Sequence, residues 1–362
     1  MGNLGDTVNE RLNVAVIGAG YWGPNLARNF RASADWNLAA ICDIDIDRAR
    51  RVADGVGGAP VTADLQAVLS DPLVDAVAIA TPARTHHPIV LAALEAGKHV
   101  MVEKPLADTR ERGVEMVQAA EARGLVLMAD HTYCYTPAVL KMKELVADGS
   151  LGDILFVDSV RINLGLIQPD VDVFWDLAPH DLSIMDFILP GGLAAASVSA
   201  HGSDPLRTGK SCVGYLAMPL ESGAMAHVHV NWLSPTKIRQ MVIGGTKRTL
   251  VWDDLNPQQR LSVYDRGVDI DSVSKVTTAD TRAANISYRL GDTWAPALPE
   301  REALGGVVAE FAAAIREGRP ARTNGAAGLR VLSVLGAAAE SVAAGGAPQP
   351  VRAERVAREV AA

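Results

Sequence analysis

Through the first third of the chain, short runs of β-branched and other apolar residues alternate with amphipathic stretches. The apolar runs predict strands at Asn13 to Ile17, Leu38 to Cys42, Ala76 to Ala80, His99 to Val102 and Val126 to Ala129. Between them, PNLARNFRAS, DIDRARRVADG and HHPIVLAALEAGK carry the spacing of helices that bury one face. Apolar strands separated by helices build βαβ units, so this region predicts a doubly wound parallel sheet. After about Pro137 the pattern changes. One helix, PAVLKMKELVADG, leads into LGDILFVDSVRINLG, and several strands with turn signals follow from Ala194 to about Val268. Two alanine-rich helices, GGVVAEFAAAIREG and AGLRVLSVLGAAAESVAAGG, come near the C-terminus. The second part therefore predicts an α+β domain with a mostly antiparallel, open sheet. The expected division is residues 11–135 and 136–345, with the C-terminal helices able to pack back on the first domain.

A length of 362 residues suits two such domains rather than one small core. Although 49% of the residues are apolar, no run reaches the ~18 uninterrupted apolar residues of a membrane span, so a soluble protein is expected. The start, MGNLGDTVNE, is acidic and lacks the basic and apolar regions of a secretion signal, and Asp6 stands where a myristoylation motif needs Ser or Thr. Cys42, Cys134 and Cys212 are far apart and have no metal-binding spacing, which fits a reducing cytoplasm and predicts no disulfide and no metal site. A net charge of -8 without a basic cluster argues against nucleic acid as a partner, and no membrane partner is expected. The partner expected is a small molecule.

The strongest local signal is VAVIGAGYWGPNLARNF. Gly18, Gly20 and Gly23 form GxGxxG between a strand and a helix, where a glycine turn lets the backbone approach a pyrophosphate and the helix N-terminus offers unpaired N–H groups. The next strand ends in AAICDIDID. Asp43 at its tip can accept hydrogen bonds from both adenosine ribose hydroxyls and would repel a 2'-phosphate, which favours NAD over NADP. Alternatively Asp43 caps the following helix, a position that Asp45 or Asp47 could also fill; Arg48 and Arg50 keep NADP open.

Thr81 and Pro82 end one strand, and Glu103, Lys104 and Pro105 end the next. Both tips are thus expected at the carboxyl edge of the sheet, where doubly wound folds bind ligands, with Lys104 toward the nicotinamide end. The cofactor set expected from these loops is Gly18, Gly20, Tyr21, Trp22, Gly23, Asp43, Thr81, Pro82, His86, Glu103 and Lys104.

The GAGYWG loop, the block THHPIVLAALEAGKHVMVEKPLA and the later WDLAPHD resemble the glucose-fructose oxidoreductase and inositol dehydrogenase family, Gfo/Idh/MocA. The resemblance runs from Leu12 to about Ala344 and implies an N-terminal Rossmann domain followed by a C-terminal α+β domain whose open sheet mediates oligomerisation. A homodimer or homotetramer is expected. It further implies that Lys104 lies between nicotinamide and substrate, and that the Lys104–Pro105 bond is often cis. In this reading His180 is the general acid/base with Asp176 nearby, four residues apart on one helical face. Asp181 is expected to point elsewhere and to act as a cap.

Two departures from the family pattern bear on the substrate. The stretch Thr132-Tyr133-Cys134-Tyr135-Thr136-Pro137 holds Cys134 where members often have arginine, and Ala178 followed by Pro179 replaces the usual glycine between the Asp and His. SVRINLGLIQPDVDVFWDLAPHDLSIMD resembles the branch associated with nucleotide-sugar pathways. Tyr133, Arg161, Asn163, Gln168, Lys237 and Arg239 are the residues expected to meet a sugar or its diphosphate. The function expected is therefore an NAD(P)-dependent oxidoreductase acting on a secondary alcohol or ketone of a nucleotide-linked sugar. An inositol or polyol dehydrogenase and a non-catalytic NAD-binding regulator are the alternatives; Lys104, Asp176 and His180 together argue for an enzyme.

Overall fold

A computed structural model of the chain describes residues 11–168, 170–270 and 286–352. The chain divides into two compact units, one running to Thr136 and including Arg301–Leu332, the other comprising Pro137–Glu300 and the chain from Ser333 to Glu354.

The first unit is built on six parallel strands: β1 (Leu12–Ile17), β2 (Trp36–Cys42), β3 (Val61–Thr62), β4 (Ala76–Ile79), β5 (His99–Glu103) and β6 (Leu127–Asp130). Their order is β3-β2-β1-β4-β5-β6, so the chain reverses direction across the sheet between β1 and β4 and opens a crevice at their carboxyl ends. Val14, Val16, Ile41, Ala76 to Ile79 and Val100 to Val102 are buried, as strands covered on both faces require. β5 and β6 run one residue further than their apolar runs, because Glu103 and Asp130 remain in register with each other.

Helices α1 (Gly23–Ala32), α2 (Ile46–Gly55), α3 (Leu65–Ser70), α4 (His86–Glu95) and α5 (Arg110–Arg123) make the crossovers. Their starts are set by side chains: Asp45 accepts the Arg48 N–H at the head of α2, Asp64 does the same for Gln66 and Ala67 in α3, and Thr109 caps α5. Helix α8 (Ala303–Glu317) and the first turns of α9 (Gly325–Ala343) return to this unit. Trp36 anchors α8: its indole N–H donates to the Val308 carbonyl at 2.7 Å, and its ring meets Phe30 edge-on and stacks on Phe311, both with centroids 5.3 Å away.

The second unit holds a nine-stranded sheet in the order β14-β13-β12-β11-β7-β10-β9-β8-β15 among the described residues. The strands are β7 (Ile154–Leu164), β8 (Ser197–Ser203), β9 (Val213–Pro219), β10 (Met225–Asn231), β11 (Leu233–Gly245), β12 (Thr249–Asp253), β13 (Leu261–Ile270), β14 (Ile286–Trp294) and β15 (Gln349–Pro350). Among the described residues of this sheet, only the β7–β10 pair is parallel. Helix α7 (Val173–Ile188) packs on β7, β9 and β10, with α6 (Pro137–Ala147) against it. Gly214, Leu216 and Met218 of β9 and Ala226, Val228 and Val230 of β10 face that layer, and Tyr215 and Met225, at 44% and 50% exposure, lie on the opposite face. Gly214 is required because a Cβ there would fall on the Phe174 ring of α7.

Helix α9 is long and apolar enough to cross a membrane by length and composition, but Leu329, Leu332, Val334 and Leu335 are buried within the fold, which marks it as a core helix.

Candidate active site

At the end of β1, Gly18 has φ +100°, and a Cβ there would lie 2.7 Å from the Ala80 carbonyl at the end of β4. A Cβ on Gly23 would strike the Gly18 carbonyl oxygen, so both glycines are dictated by close packing. Gly20 is different. A Cβ there would have no atom within 4 Å, which leaves an open space beside the start of α1. The first turn of α1 carries no acidic residue, and Trp22 makes no side-chain cap bond, so the helix end keeps its positive partial charge. A dinucleotide pyrophosphate fits this cradle.

Asp43 is held by two backbone N–H groups. Its Oδ2 accepts the Ala19 N–H at 2.7 Å and its Oδ1 accepts the Asp45 N–H at 2.8 Å, while Arg48 comes within 3.8 Å. The carboxylate is 8% exposed and ties the glycine loop to β2; Asp45, not Asp43, caps α2. Any contact with a ribose must use lone pairs left over from these backbone bonds.

His86 also differs from expectation. It is 1% exposed, with Nε2 at 2.9 Å from the Thr81 carbonyl and Nδ1 at 3.0 Å from the Pro105 carbonyl. A neutral ring carries one N–H and so donates to one of these two carbonyls, but both nitrogens are enclosed between the Thr81–Pro82 loop and the proline turn, and His86 supports the site from beneath. Burial holds its pKa below the ordinary imidazole value against the pull of the two carbonyls. Thr81 is held further by the Thr85 hydroxyl at 2.8 Å. The peptide bond at Lys104–Pro105 is cis, and the half-buried Lys104 follows directly on the carboxyl end of β5.

Glu103 stands beside Asp130 on the neighbouring strand, at the same register position. Its Oε2 accepts the backbone N–H of Lys104 at 3.2 Å. Asp130, 1% exposed, accepts the Thr132 hydroxyl at 2.8 Å and the Trp22 indole N–H at 3.4 Å. Burial and the neighbouring Asp130 push the Glu103 carboxyl well above the usual range, against the pull of Lys104. Burial raises Asp130 as well, opposed by the neighbouring Glu103 and by the Thr132 and Trp22 donors. Tyr21, 94% exposed, stacks on Trp22 at the tip of the glycine loop.

In the second unit, Asp172 caps α7 by accepting the Phe174 and Trp175 N–H groups, both at 3.0 Å. Asp176 and His180 follow one turn apart on this helix. The buried Trp232 indole donates to Asp176 Oδ2 at 3.1 Å and fixes that carboxylate. Pro179 lies inside the helix and cannot donate to the Trp175 carbonyl.

Arg161 and Asp181 require correction. Their side chains are 3% and 2% exposed, and the guanidinium donates from Nε and Nη2 to the two Asp181 oxygens at 2.8 and 2.9 Å. Arg161 is therefore spent inside the unit rather than on a sugar, and Asp181 is its partner rather than a cap. Among the other expected substrate residues, Arg239 pairs with Asp254 at 3.4 Å. Exposed Lys237 lines a hollow of about 340 Å³ with Gln240, Asp253 and Asn256. Tyr133 and Asn163 are half-buried.

The sequence reading passed over Asp130. Its signal was present: MADHT puts a carboxylate at the carboxyl tip of a parallel strand, the same feature that drew attention to Glu103.

Residues 12–131 match the family model described as oxidoreductase family, NAD-binding Rossmann fold, and residues 139–251 match that of the GFO/IDH/MocA C-terminal domain. The chain is 34% identical to D-glucoside 3-dehydrogenase of Escherichia coli over 56% of its own length and 60% of that enzyme's. It thus spans less than two thirds of that relative. It is 28% identical to UDP-N-acetylglucosamine 3-dehydrogenase of Acidithiobacillus ferrooxidans over 89% of this chain and 94% of that one. A solved structure of the latter enzyme superposes with a TM-score of 0.75 at 26% identity, covering 92% of this chain and 98% of that one. GenD2 from gentamicin A biosynthesis, solved in complex with NAD, does so with a TM-score of 0.79 at 25% identity over 98% and 100%. With both of its domain models matched over more than half the sequence, the chain belongs to the Gfo/Idh/MocA family of oxidoreductases.

Proposed function

We propose that the protein is an NAD-dependent oxidoreductase acting on a secondary alcohol or ketone of a sugar, and that the sugar is nucleotide-linked. The observation that carries the reading is the carboxyl edge of the parallel sheet, where Lys104 at the tip of β5 shares an edge with the open space at Gly20. Bound nicotinamide supplies a hydride acceptor or donor. The Gly18–Gly23 loop and the head of α1 hold the pyrophosphate, and Asp43 keeps that loop in shape. Lys104 donates a hydrogen bond to the reacting oxygen and stabilises its alkoxide character. His180 takes the hydroxyl proton as a neutral imidazole and returns it in the reverse direction. Asp176, tethered by Trp232, orients its neighbours on α7.

Support for a nucleotide-linked sugar comes from the UDP-N-acetylglucosamine 3-dehydrogenase, which aligns over 89% of this chain. A polyol reading has its own support in an inositol 2-dehydrogenase of Saccharopolyspora erythraea, 31% identical over 60% of this chain. The three buried free cysteines favour a cytoplasmic setting. Mass spectrometry after gentle denaturation tests the reading, together with turnover on a panel of nucleotide sugars, free sugars and inositols. Co-purified NAD(H) and turnover of a nucleotide sugar are expected. Turnover of inositols alone overturns the substrate class, and cofactor binding without turnover on any of the three overturns the enzyme reading.

A further inference from the structure

We propose that Glu103 and Asp130 share a single proton, Glu103 donating and Asp130 accepting, and that this pair is a positioning element that ties Lys104 to the glycine loop. The geometry is that of two carboxyl groups on adjacent strands at one register position, about 4.8 Å apart at the backbone. Two ionised carboxylates at that spacing in a buried place repel strongly, and one proton between them removes the conflict.

The hydrogen bonds decide which residue holds the proton. Asp130 is met by two donors, the Thr132 hydroxyl and the Trp22 indole, as an ionised carboxylate requires. Glu103 Oε1 is buried and receives no donor, so it is satisfied as an O–H that donates to Asp130. The other oxygen, Oε2, accepts the Lys104 backbone N–H. A continuous chain results: the Lys104 amide to Glu103, Glu103 to Asp130, and Asp130 to Trp22 of the glycine loop. The upward displacement of the Glu103 carboxyl agrees with this assignment.

Lys104 belongs to the same turn, His131 adjoins Asp130, and His86 reaches the turn from α4 through the Pro105 carbonyl, with Asp108 acting on His86. The pair carries one net negative charge on the same turn as Lys104. Removing the proton as pH rises through the raised value would set two like charges side by side and loosen the turn that carries Lys104. The role given to Lys104 rests on the function proposed above; the shared proton does not.

The test uses the full chain, as wild type and as Glu103→Gln. Infrared difference spectra recorded as pH is raised from the ordinary glutamate range through the raised value should show a protonated-carboxyl C=O band in the wild type that is missing in Glu103→Gln. This readout needs no substrate, so it stands if the assigned reaction is wrong. In hydride transfer, the wild-type rate should fall about tenfold per pH unit as the pair ionises. The variant, whose amide N–H donates at every pH, should lack that limb whatever its rate at neutral pH. Absence of the band in the wild type, or its persistence in Glu103→Gln, overturns the shared proton. A band that behaves as expected, with the same falling limb surviving in the variant, overturns the positioning role.

Discussion

Replacing Arg161 by methionine should destabilise the second unit severely, and the size of the effect follows from the geometry. The Arg161 and Asp181 side chains are 3% and 2% exposed and meet through two charge-assisted hydrogen bonds of 2.8 and 2.9 Å. Removing the guanidinium leaves a buried carboxylate without its counter-ion, a defect that costs roughly 3–5 kcal/mol. For a unit of this size that corresponds to a fall in melting temperature of about 6–20 °C. Asp181→Leu should cost a similar amount, because it strands the guanidinium. The double replacement Arg161→Met/Asp181→Leu should be milder than either single change, since apolar groups of similar volume need no partner. Urea unfolding followed by circular dichroism, run as a double-mutant cycle, measures the coupling. Single variants that lose less than about 1 kcal/mol, or a double variant whose loss is the sum of the singles, would refute the buried-bridge argument.

Asp43→Ala releases the Ala19 and Asp45 amides, so NAD binding should weaken and the preference for NAD over NADP should narrow in fluorescence titrations; an unmodified protein that prefers NADP would contradict this. Because the Glu103 carboxyl is raised in the folded state, the fold binds a proton that the unfolded chain has released; stability should therefore fall as pH rises from the ordinary glutamate range through the raised value. Urea midpoints against pH should show this slope in the wild type and lose it in Glu103→Gln. The face of the nine-stranded sheet that displays Tyr215 and Met225 calls for a cover, and we expect a second copy to supply it. Light scattering at micromolar concentration should report a homo-oligomer that Tyr215→Asp weakens; a monomeric wild type would contradict it.

Much of the first unit was legible because its signals are local. Strands such as Ala76–Ile79 are buried on both faces and therefore apolar throughout, and Gly18 and Gly23 are glycines because a Cβ would strike nearby carbonyls. The misreadings concern polar residues whose partners lie far away in sequence. Nothing near Arg161 announces Asp181, and nothing near Glu103 announces Asp130; both pairs exist only after strand and helix are brought into register. His86 looked like a ligand-facing residue from its place after Thr81, yet its partners, the Thr81 and Pro105 carbonyls, are backbone atoms that carry no sequence signature. The backbone bonds that Asp43 accepts from Ala19 and Asp45 could not be seen from composition.

The central claim is that Lys104 serves the chemical step and not merely the end of a strand. The most direct measurement is the hydride-transfer rate of Lys104→Ala on the true substrate, with NAD affinity determined on the same preparation. The account predicts NAD affinity close to that of the wild type and a rate lower by at least about 10²-fold. Lys104→Arg should not restore that rate, because a planar fork differs in reach and geometry from an ammonium. A folded Lys104→Ala protein that turns over at the wild-type rate would contradict the account.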